Sequence, residues 1–267
     1  MKRTSLFLLI AAFLVPISAL AAERVTTADC GDWPSYTGGP GQYLIPNDDT
    51  VFDTDGRAVF DGTNGNDQVW VDEDAGVATV VNLKGGDDLF CGGPMADLVN
   101  GGAGNDSIYG NGGDDKINGN GGVDDIYGDE GDDTLRGNGG GDRVYGGDGD
   151  DKIWGNGGHD IALAGGLGHD VIRGGPGDDA NMVGGSECLD TEDGDDVIKG
   201  GPGDDWMCGA SGDDLLVGGP GDDYINSGSP DAPTYDGSGH DVVKGGPGTD
   251  TCEATVEPDT VSGCELD

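Results

Sequence analysis

Basic residues are scarce in this sequence, and their scarcity excludes one class of partner at the outset. Lys and Arg total 12, whereas Asp and Glu total 53, which gives a formal net charge of −41 at pH 7. Nucleic acid is therefore excluded as a natural partner, because its phosphates are bound mainly by Lys and Arg. Since like charges repel one another in a compact body, a folded state of this chain needs counter-ions bound at defined places.

Long apolar runs are also missing beyond the first residues of the chain. Residues 1–3 include two basic side chains, residues 6–15 are apolar, and residues 19–21 are Ala, Leu and Ala. This order is typical of a secretory signal peptide and predicts Sec-type export with removal of residues 1–21. No later segment offers the roughly 20 apolar residues of a transmembrane helix. We therefore expect a secreted, extracellular protein, with the periplasm and the cell surface as alternative locations.

Cysteine is infrequent, but its number is even, which suits an exported protein with disulfides. Up to three disulfides are possible, and buried free thiols are the alternative. A Cys252–Cys264 bond would close a short terminal loop, and Cys188–Cys208 is the next pairing that we expect. The six cysteines are Cys30, Cys91, Cys188, Cys208, Cys252 and Cys264.

Glycine is abundant, and the acidic residues among the glycines follow a strict period. High net charge and 57 glycines would ordinarily favour a disordered chain. However, residues 92–163 form eight consecutive nonapeptides without an insertion or a deletion, for example GGAGNDSIY at 101–109 and GNGGDDKIN at 110–118. The regular spacing predicts a repeat architecture.

The array continues on both sides of this unbroken segment. Ala164 shifts its frame by one residue, a non-matching stretch interrupts it at 183–190, and a Pro-containing unit at 227–235 is degenerate. The last unit ends at Glu253, and weaker copies precede the array at 62–70 and 82–90.

Two positions of the nonapeptide carry most of the information. Position eight is apolar in nearly every unit, as at Ile108, Ile117 and Ile126. Position six is Asp in all 18 units, and these aspartates are the predicted metal ligands. They are Asp67, Asp87, Asp97, Asp106, Asp115, Asp124, Asp133, Asp142, Asp151, Asp160, Asp170, Asp179, Asp196, Asp205, Asp214, Asp223, Asp241 and Asp250.

Each nonapeptide is predicted to form a glycine-rich turn followed by a short strand. Because one unit cannot bury its apolar residue alone, the units are expected to stack into an all-β solenoid with a narrow core. Tight turns that end in Asp supply carboxylate and carbonyl oxygens, which are the ligands of Ca²⁺. His159, His169 and His240 all occupy position five and are too far apart to form a zinc site.

These units resemble the GGxGxDxUx repeat of the RTX, or hemolysin-type, calcium-binding proteins. The resemblance covers about residues 62–253. It implies a right-handed parallel β-roll, a β-helix-like solenoid with two nonapeptides per turn, in which units n and n+2 share a Ca²⁺ ion. The implied aspartate pairs are Asp97 with Asp115, Asp106 with Asp124, Asp115 with Asp133, Asp124 with Asp142, Asp133 with Asp151, and Asp142 with Asp160.

The domain organisation follows from the extent of the array. Residues 1–21 are the signal peptide, 22–61 a short N-terminal cap, 62–253 the β-roll, and 254–267 a short C-terminal cap held by a disulfide, because the ends of a solenoid must be covered. Metal binding and folding are coupled in such a chain, so we expect it to fold on binding several Ca²⁺ ions outside the cytoplasm.

We do not expect an enzyme. Relatives with protease, lipase or epimerase activity carry a separate catalytic domain, whereas the 22–61 segment is too short for one. The chain contains no HExxH, no GxSxG and no phosphate-binding loop. Abundant carboxylates leave a polysaccharide-acting enzyme as a minor alternative.

Three series of side chains suggest partners other than calcium. Tyr109, Tyr127 and Tyr145 recur at 18-residue intervals and are expected to stack about 4.8 Å apart. Sugar binding by this ladder is one interpretation and stabilisation of the sheet is the other. A second series is a weakly basic strip for acidic polysaccharide, for which a solvated face that offsets nearby acids is the favoured alternative. A third is a polar ladder like that of ice-binding β-rolls. The strip contains Lys116, Arg136, Lys152 and Trp154, and the ladder contains Asn111, Asn120, Asn138 and Asn156.

Beyond calcium binding, two functions therefore remain open. The first is an adhesion module for a cell surface, a matrix or an extracellular polysaccharide. The second is a passive calcium buffer or structural spacer. An ice-binding protein is a lesser alternative.

Overall fold

A computed structural model describes residues 42–45, 57–71, 76–186, 188, 193–228, 240–253 and 260–265. The predicted signal peptide, Cys30 and most of the predicted N-terminal cap lie outside these ranges. So do parts of the interruption, of the degenerate unit and of the C-terminal cap. The predicted domain boundaries therefore stay predictions.

The described residues form 22 short strands in two parallel sheets of 11 strands each. The first sheet contains β1 (Gln42–Ile45), β3 (Gln68–Val71), β5 (Leu89–Cys91), β7 (Ser107–Tyr109), β9 (Asp125–Glu130), β11 (Arg143–Asp148), β13 (Ala162–Leu167), β15 (Met182–Val183), β17 (Trp206–Cys208), β19 (Tyr224–Asn226) and β21 (Thr251–Glu253). The second sheet contains β2 (Ala58–Asp61), β4 (Thr79–Gly85), β6 (Leu98–Ala103), β8 (Lys116–Gly121), β10 (Thr134–Gly139), β12 (Lys152–Gly157), β14 (Val171–Arg173), β16 (Val197–Lys199), β18 (Leu215–Val217), β20 (Val242–Lys244) and β22 (Thr260–Ser262).

Consecutive strands alternate between the two sheets, so each strand pairs with the strand two units away. Leu135 of β10 pairs in parallel with Ile117 of β8 and with Ile153 of β12, at intervals of 18 residues. Two nonapeptides therefore make one turn, which confirms the predicted parallel β-roll. Within the described ranges, no helix has the length and apolar character needed to cross a membrane.

The core is a column of side chains between the two sheets, and nearly all of them are at position eight. Leu163 and Met182 also join it, although they follow the row aspartate by three residues and not by two. Ile, Val and Leu predominate, and these residues suit the pleated surface of a strand. Because each turn adds an apolar layer to its neighbours, the column removes from water side chains that a single unit would leave exposed. The fully buried members are Val69, Phe90, Val99, Ile108, Ile117, Ile126, Leu135, Val144, Ile153, Leu163, Ile172, Met182, Ile198, Met207, Leu216, Ile225 and Val243.

The turns require left-handed backbone angles at position two. In four units Asn occupies this position with φ between 68° and 80°, at Asn111, Asn120, Asn138 and Asn156. Apart from Gly, Asn and Asp tolerate this conformation best. The turn geometry thus gives the asparagine series a structural reason that needs no ice surface.

The irregular segments do not interrupt the stacking of the roll. Asp142 and Asp160 are 18 residues apart, whereas Val144 pairs with Leu163 and Tyr145 with Ala164 at intervals of 19. The extra residue therefore lies between Asp160 and Leu163, and the prediction that Ala164 shifts the frame is wrong. Across the interruption, Ile172 still pairs with Ile198 at an interval of 26 residues. The extra residues are therefore accommodated between strands, and the core column continues through them.

Both predicted disulfide pairings are confirmed. The Cα atoms of Cys188 and Cys208 are 5.6 Å apart, and those of Cys252 and Cys264 are 5.8 Å apart. Cys91 is also disulfide-bonded, and no described cysteine is free. The alternative of buried free thiols is wrong for the described cysteines.

Candidate metal centres in the aspartate rows

The position-six aspartates lie inside the turns, where they form two buried rows along the roll. The first aspartate row contains Asp97, Asp115, Asp133, Asp151, Asp170, Asp196, Asp214 and Asp241. The second contains Asp67, Asp88, Asp106, Asp124, Asp142, Asp160, Asp179, Asp205, Asp223 and Asp250. None of these residues is more than 3 % exposed. Every predicted ligand except Asp87 is therefore in a row.

The frame 82–90 predicts Asp87 at position six, and the structure corrects this frame to 83–91. Asp88 is buried, whereas Asp87 is exposed. Phe90 pairs with Ile108 and fills the core, which leaves Leu89 at the half-buried position seven. Continuity was the available signal, because the frame 83–91 runs into the next unit without a gap.

A further unit, which the nonapeptide pattern does not predict, precedes it. Thr79 takes the place of the aspartate and is fully buried, and Val81 joins the core cluster. The Thr79 amide donates to Oδ1 of Asp97 at 2.7 Å, as an aspartate amide does elsewhere in the row. The unit lacks both the Asp and the paired glycines of the repeat, so the pattern carried no signal for it.

One hydrogen bond repeats along each row. The backbone N–H of an aspartate donates to Oδ1 of the aspartate one turn later, as from Asp115 to Asp133 at 2.7 Å and from Asp124 to Asp142 at 2.9 Å. All six pairs that the resemblance implied are brought together in this way. The ladder crosses the insertion as well, since Asp170 donates to Asp196 at 2.8 Å.

The second carboxylate oxygen, Oδ2, is buried without a hydrogen-bond partner in most of these residues. A buried, unsatisfied carboxylate oxygen is costly, so its recurrence indicates a missing ligand. It recurs at Asp88, Asp106, Asp115, Asp124, Asp133, Asp142, Asp151, Asp160, Asp170, Asp179, Asp196, Asp205, Asp214, Asp223 and Asp250.

Glycine at position one lets further oxygens approach these atoms. A Cβ on Gly110 would overlap with Oδ2 of Asp115 and with the carbonyl oxygen of Gly128. Carboxylate and carbonyl oxygens are the hard ligands that Ca²⁺ prefers. The three histidines are exposed at position five, outside the rows. The donor set of the rows therefore fits Ca²⁺ and does not resemble the nitrogen and sulfur ligands of a zinc site.

Burial also makes the charged form of these carboxylates unfavourable. Desolvation raises the pKa of Asp97 to about 6, that of Asp133 to about 7, that of Asp214 to about 8 and that of Asp115 to about 9. Neighbouring carboxylates raise the pKa of Asp115 further, although the amide of Asp97 opposes the shift. Bound cations or protons would reduce the electrostatic cost of burying these like charges.

Comparison with known protein families agrees with this geometry. A family model described as the RTX calcium-binding nonapeptide repeat matches residues 91–126, 127–162, 163–180, 183–216, 209–229 and 235–261. The matched segments together span more than half of the chain, and the repeats of that family bind Ca²⁺ at multiple sites. Among curated proteins no match was found.

Proposed function

The chain belongs to the RTX calcium-binding nonapeptide-repeat family, and we propose that it is an exported protein whose β-roll folds on Ca²⁺ and then binds an anionic polysaccharide. Export is supported by the leader-like order of residues 1–21. The calcium-dependent step is supported above all by the unpartnered Oδ2 atoms of the aspartate rows. No catalytic step is part of the proposed role.

In this proposal, successive aspartates of one row hold each ion together. Asp115 would contribute to one site with Asp97 and to another with Asp133, because the three are linked in order by the amide-to-Oδ1 ladder. The ion supplies the partner that each buried Oδ2 lacks and offsets the charge that burial makes unfavourable. Folding and calcium binding are then one equilibrium.

Substitution of one row aspartate tests these assignments, and its exposed neighbour provides a matched control. We expect Asp133→Asn to lower the free energy of unfolding by about 1–3 kcal/mol in about 1 mM Ca²⁺, because two shared sites are weakened. Asp132→Asn removes the same charge from an exposed side chain next to it, so we expect a change below about 0.5 kcal/mol. Urea unfolding of both variants measures the difference. Equal effects would contradict a ligand role for the row.

The polysaccharide proposal comes from the separation of charge between the two sheets. The strands of the second sheet contain seven basic residues and one acidic residue, Asp61, whereas those of the first contain one basic residue, Arg143, and five acidic residues. Asp61 is 2.8 Å from Lys84, and the other six basic residues form the cationic face. This face consists of Lys116, Arg136, Lys152, Arg173, Lys199 and Lys244.

The cationic face is not neutralised by ion pairs within the described part of the chain. None of its six residues forms an ion pair with another described residue, although acidic residues greatly outnumber basic ones in the chain. Arg136, Trp154, Arg173 and Lys199 are aligned across four neighbouring strands. Three cations and one aromatic ring in a single row across adjacent strands suit the repeated charges of an anionic polymer.

Trp154 orients the two arginines beside it. The guanidinium carbon of Arg136 lies 4.6 Å from the centre of a Trp154 ring, and that of Arg173 lies 5.7 Å from it. Such cation–π contacts restrain flexible side chains before a ligand arrives. Guanidinium groups bind carboxylates through paired hydrogen bonds, so the face suits uronate carboxylates.

The tyrosine ladder supports sugar binding less well. Its rings stack as expected, with centroids 4.7 Å apart between Tyr109 and Tyr127 and 4.9 Å apart between Tyr127 and Tyr145. Because neighbouring rings cover one another's faces, they offer mainly their edges to a ligand. The arrangement favours a role in stabilising the first sheet.

Retention on an immobilised uronate polysaccharide, hyaluronan, tests the proposal. In about 1 mM Ca²⁺ we expect Arg173→Gln to reduce the binding free energy by about 1 kcal/mol, which raises the Kd about fivefold. Arg143→Gln removes the same charge from the opposite sheet, where Arg143 is already paired with Asp125 at 3.0 Å. This control and Tyr127→Ala should bind like the parent protein.

The competing functions predict other results. A passive calcium buffer or spacer would show no retention of any form. Loss of binding only in Tyr127→Ala would favour the tyrosine ladder over the cationic face. Added salt should weaken retention by the cationic face, because exposed charges are screened within about 8–10 Å at physiological ionic strength.

A further inference from the structure

A third carboxylate joins the first aspartate row where the array is interrupted. Asp170 and Asp196 occupy position six of successive turns on the two sides of the interruption. Asp193 occupies position three of the same nonapeptide as Asp196, which spans residues 191–199. One carboxylate oxygen from each of the three lies within 4.8 Å of the others, an arrangement found at no other place among the described residues.

Two of the three carboxylates are buried and incompletely bonded. Asp170 and Asp196 are each 1 % exposed, and in both residues Oδ2 has no hydrogen-bond partner. Oδ1 of Asp196 accepts the amide of Asp170, which holds the two residues together. The cluster therefore contains unsatisfied buried oxygens in addition to its negative charge.

The local turn holds Asp193 near this pair. Its amide donates to Oγ of Ser211 at 3.2 Å, and its Oδ1 accepts the amide of Gly194 at 2.8 Å. Asp148 and Glu130 also occupy position three in regular units, but both are exposed. An acidic residue at position three is therefore not enough to bring a third carboxylate to the row. The placement of Asp193 depends on the local fold of its own turn.

We propose that Asp170, Asp193 and Asp196 form a distinct cation site of the roll, which binds Ca²⁺ more tightly than the two-carboxylate sites. This proposal rests on the proposed calcium-binding function. The affinity of oxygen sites for Ca²⁺ is tuned by the number of charged ligands, and only this site gathers three of them within the described residues. The ion would join turns whose aspartates are 26 residues apart, compared with 18 in the regular array.

Terbium replacement in the folded, calcium-saturated protein tests this site. A trivalent oxygen-seeking ion should first displace Ca²⁺ where the negative charge is greatest. Equilibrium dialysis against Tb³⁺ in excess Ca²⁺ is expected to show one ion per chain bound about tenfold more tightly than the rest. Asp193→Asn should abolish this tight phase.

Asp148→Asn is the matched control, because it changes the same residue type at the same repeat position and removes the same charge. It should retain the tight phase. Circular dichroism of each protein in Ca²⁺ reports whether the roll has folded.

A tight phase that survives in Asp193→Asn, or that both variants lose equally, overturns the assignment of the site. If the parent protein folds on Ca²⁺ but has no tight Tb³⁺ phase, this inference alone fails. If the parent protein does not respond to Ca²⁺, the proposed function fails with it.

Discussion

Removal of calcium is expected to unfold the β-roll. In EDTA, far-UV circular dichroism of the protein without residues 1–21 should lose its β signal, and CaCl₂ should restore it in a steep transition near 1 mM. The reason is the set of buried Oδ2 atoms, which have no hydrogen-bond partner and carry charge away from water. Without a cation, only the narrow apolar core would oppose the repulsion that comes from the large net negative charge of the chain.

The expected size of this effect follows from the number of sites. For a Kd of about 0.1–1 mM, each site contributes about 0.4–1.4 kcal/mol in about 1 mM Ca²⁺. About ten such sites would contribute about 4–14 kcal/mol, which is as large as the whole stability of an ordinary domain. One ion is therefore unimportant by itself, whereas the set decides whether the chain folds.

Magnesium provides the control for the calcium effect. Mg²⁺ is smaller, demands octahedral geometry and gives up its water reluctantly, so an equal concentration of MgCl₂ should not restore the β signal. An unchanged spectrum in EDTA would show that the aspartates are not essential ligands. That result would contradict the calcium-dependent step of the proposed function.

The period of the repeat explains why so much of this fold was predictable from the sequence. Asp at position six and an apolar residue at position eight recur every nine residues, and each nine-residue unit contributes one strand. In a parallel solenoid each residue is then stacked on its equivalent, as Leu135 is on Ile117 and Ile153. The aspartate rows, the core column and the tyrosine ladder all follow from this rule.

The errors and omissions occur where the rule gives no information. Asp87 and Asp88 are adjacent, so the local pattern fits either of them. Only the gap-free frame and the burial of Phe90 place Asp88 in the row. Thr79 stands where the pattern requires Asp, so its unit was not visible in the sequence. The proximity of Asp193 to Asp170 depends on how one interrupted turn folds, which repeat spacing does not specify.

Acid should partly replace calcium, and this is the second large effect that we expect. Burial raises the pKa of Asp133 to about 7, that of Asp170 to about 8 and that of Asp115 to about 9, relative to 3.8 for an ordinary aspartate. Without metal, the folded chain therefore binds protons more tightly than the unfolded chain does. The resulting stability is fully present below the unfolded pKa of about 4 and is lost as the pH rises through about 6–9.

A pH series on calcium-free protein measures this effect. After removal of metal on a chelating resin, we expect the β signal to increase as the pH falls from about 8 to about 5, because the row aspartates take up protons. Calcium-loaded protein supplies the opposite control, since protons compete with the metal for the same carboxylates. At limiting Ca²⁺, its apparent calcium affinity should fall over the same pH range. If the calcium-free chain is no more folded at about pH 5 than at about pH 8, the prediction fails. Burial of the aspartates would then not be the reason why folding depends on a cation.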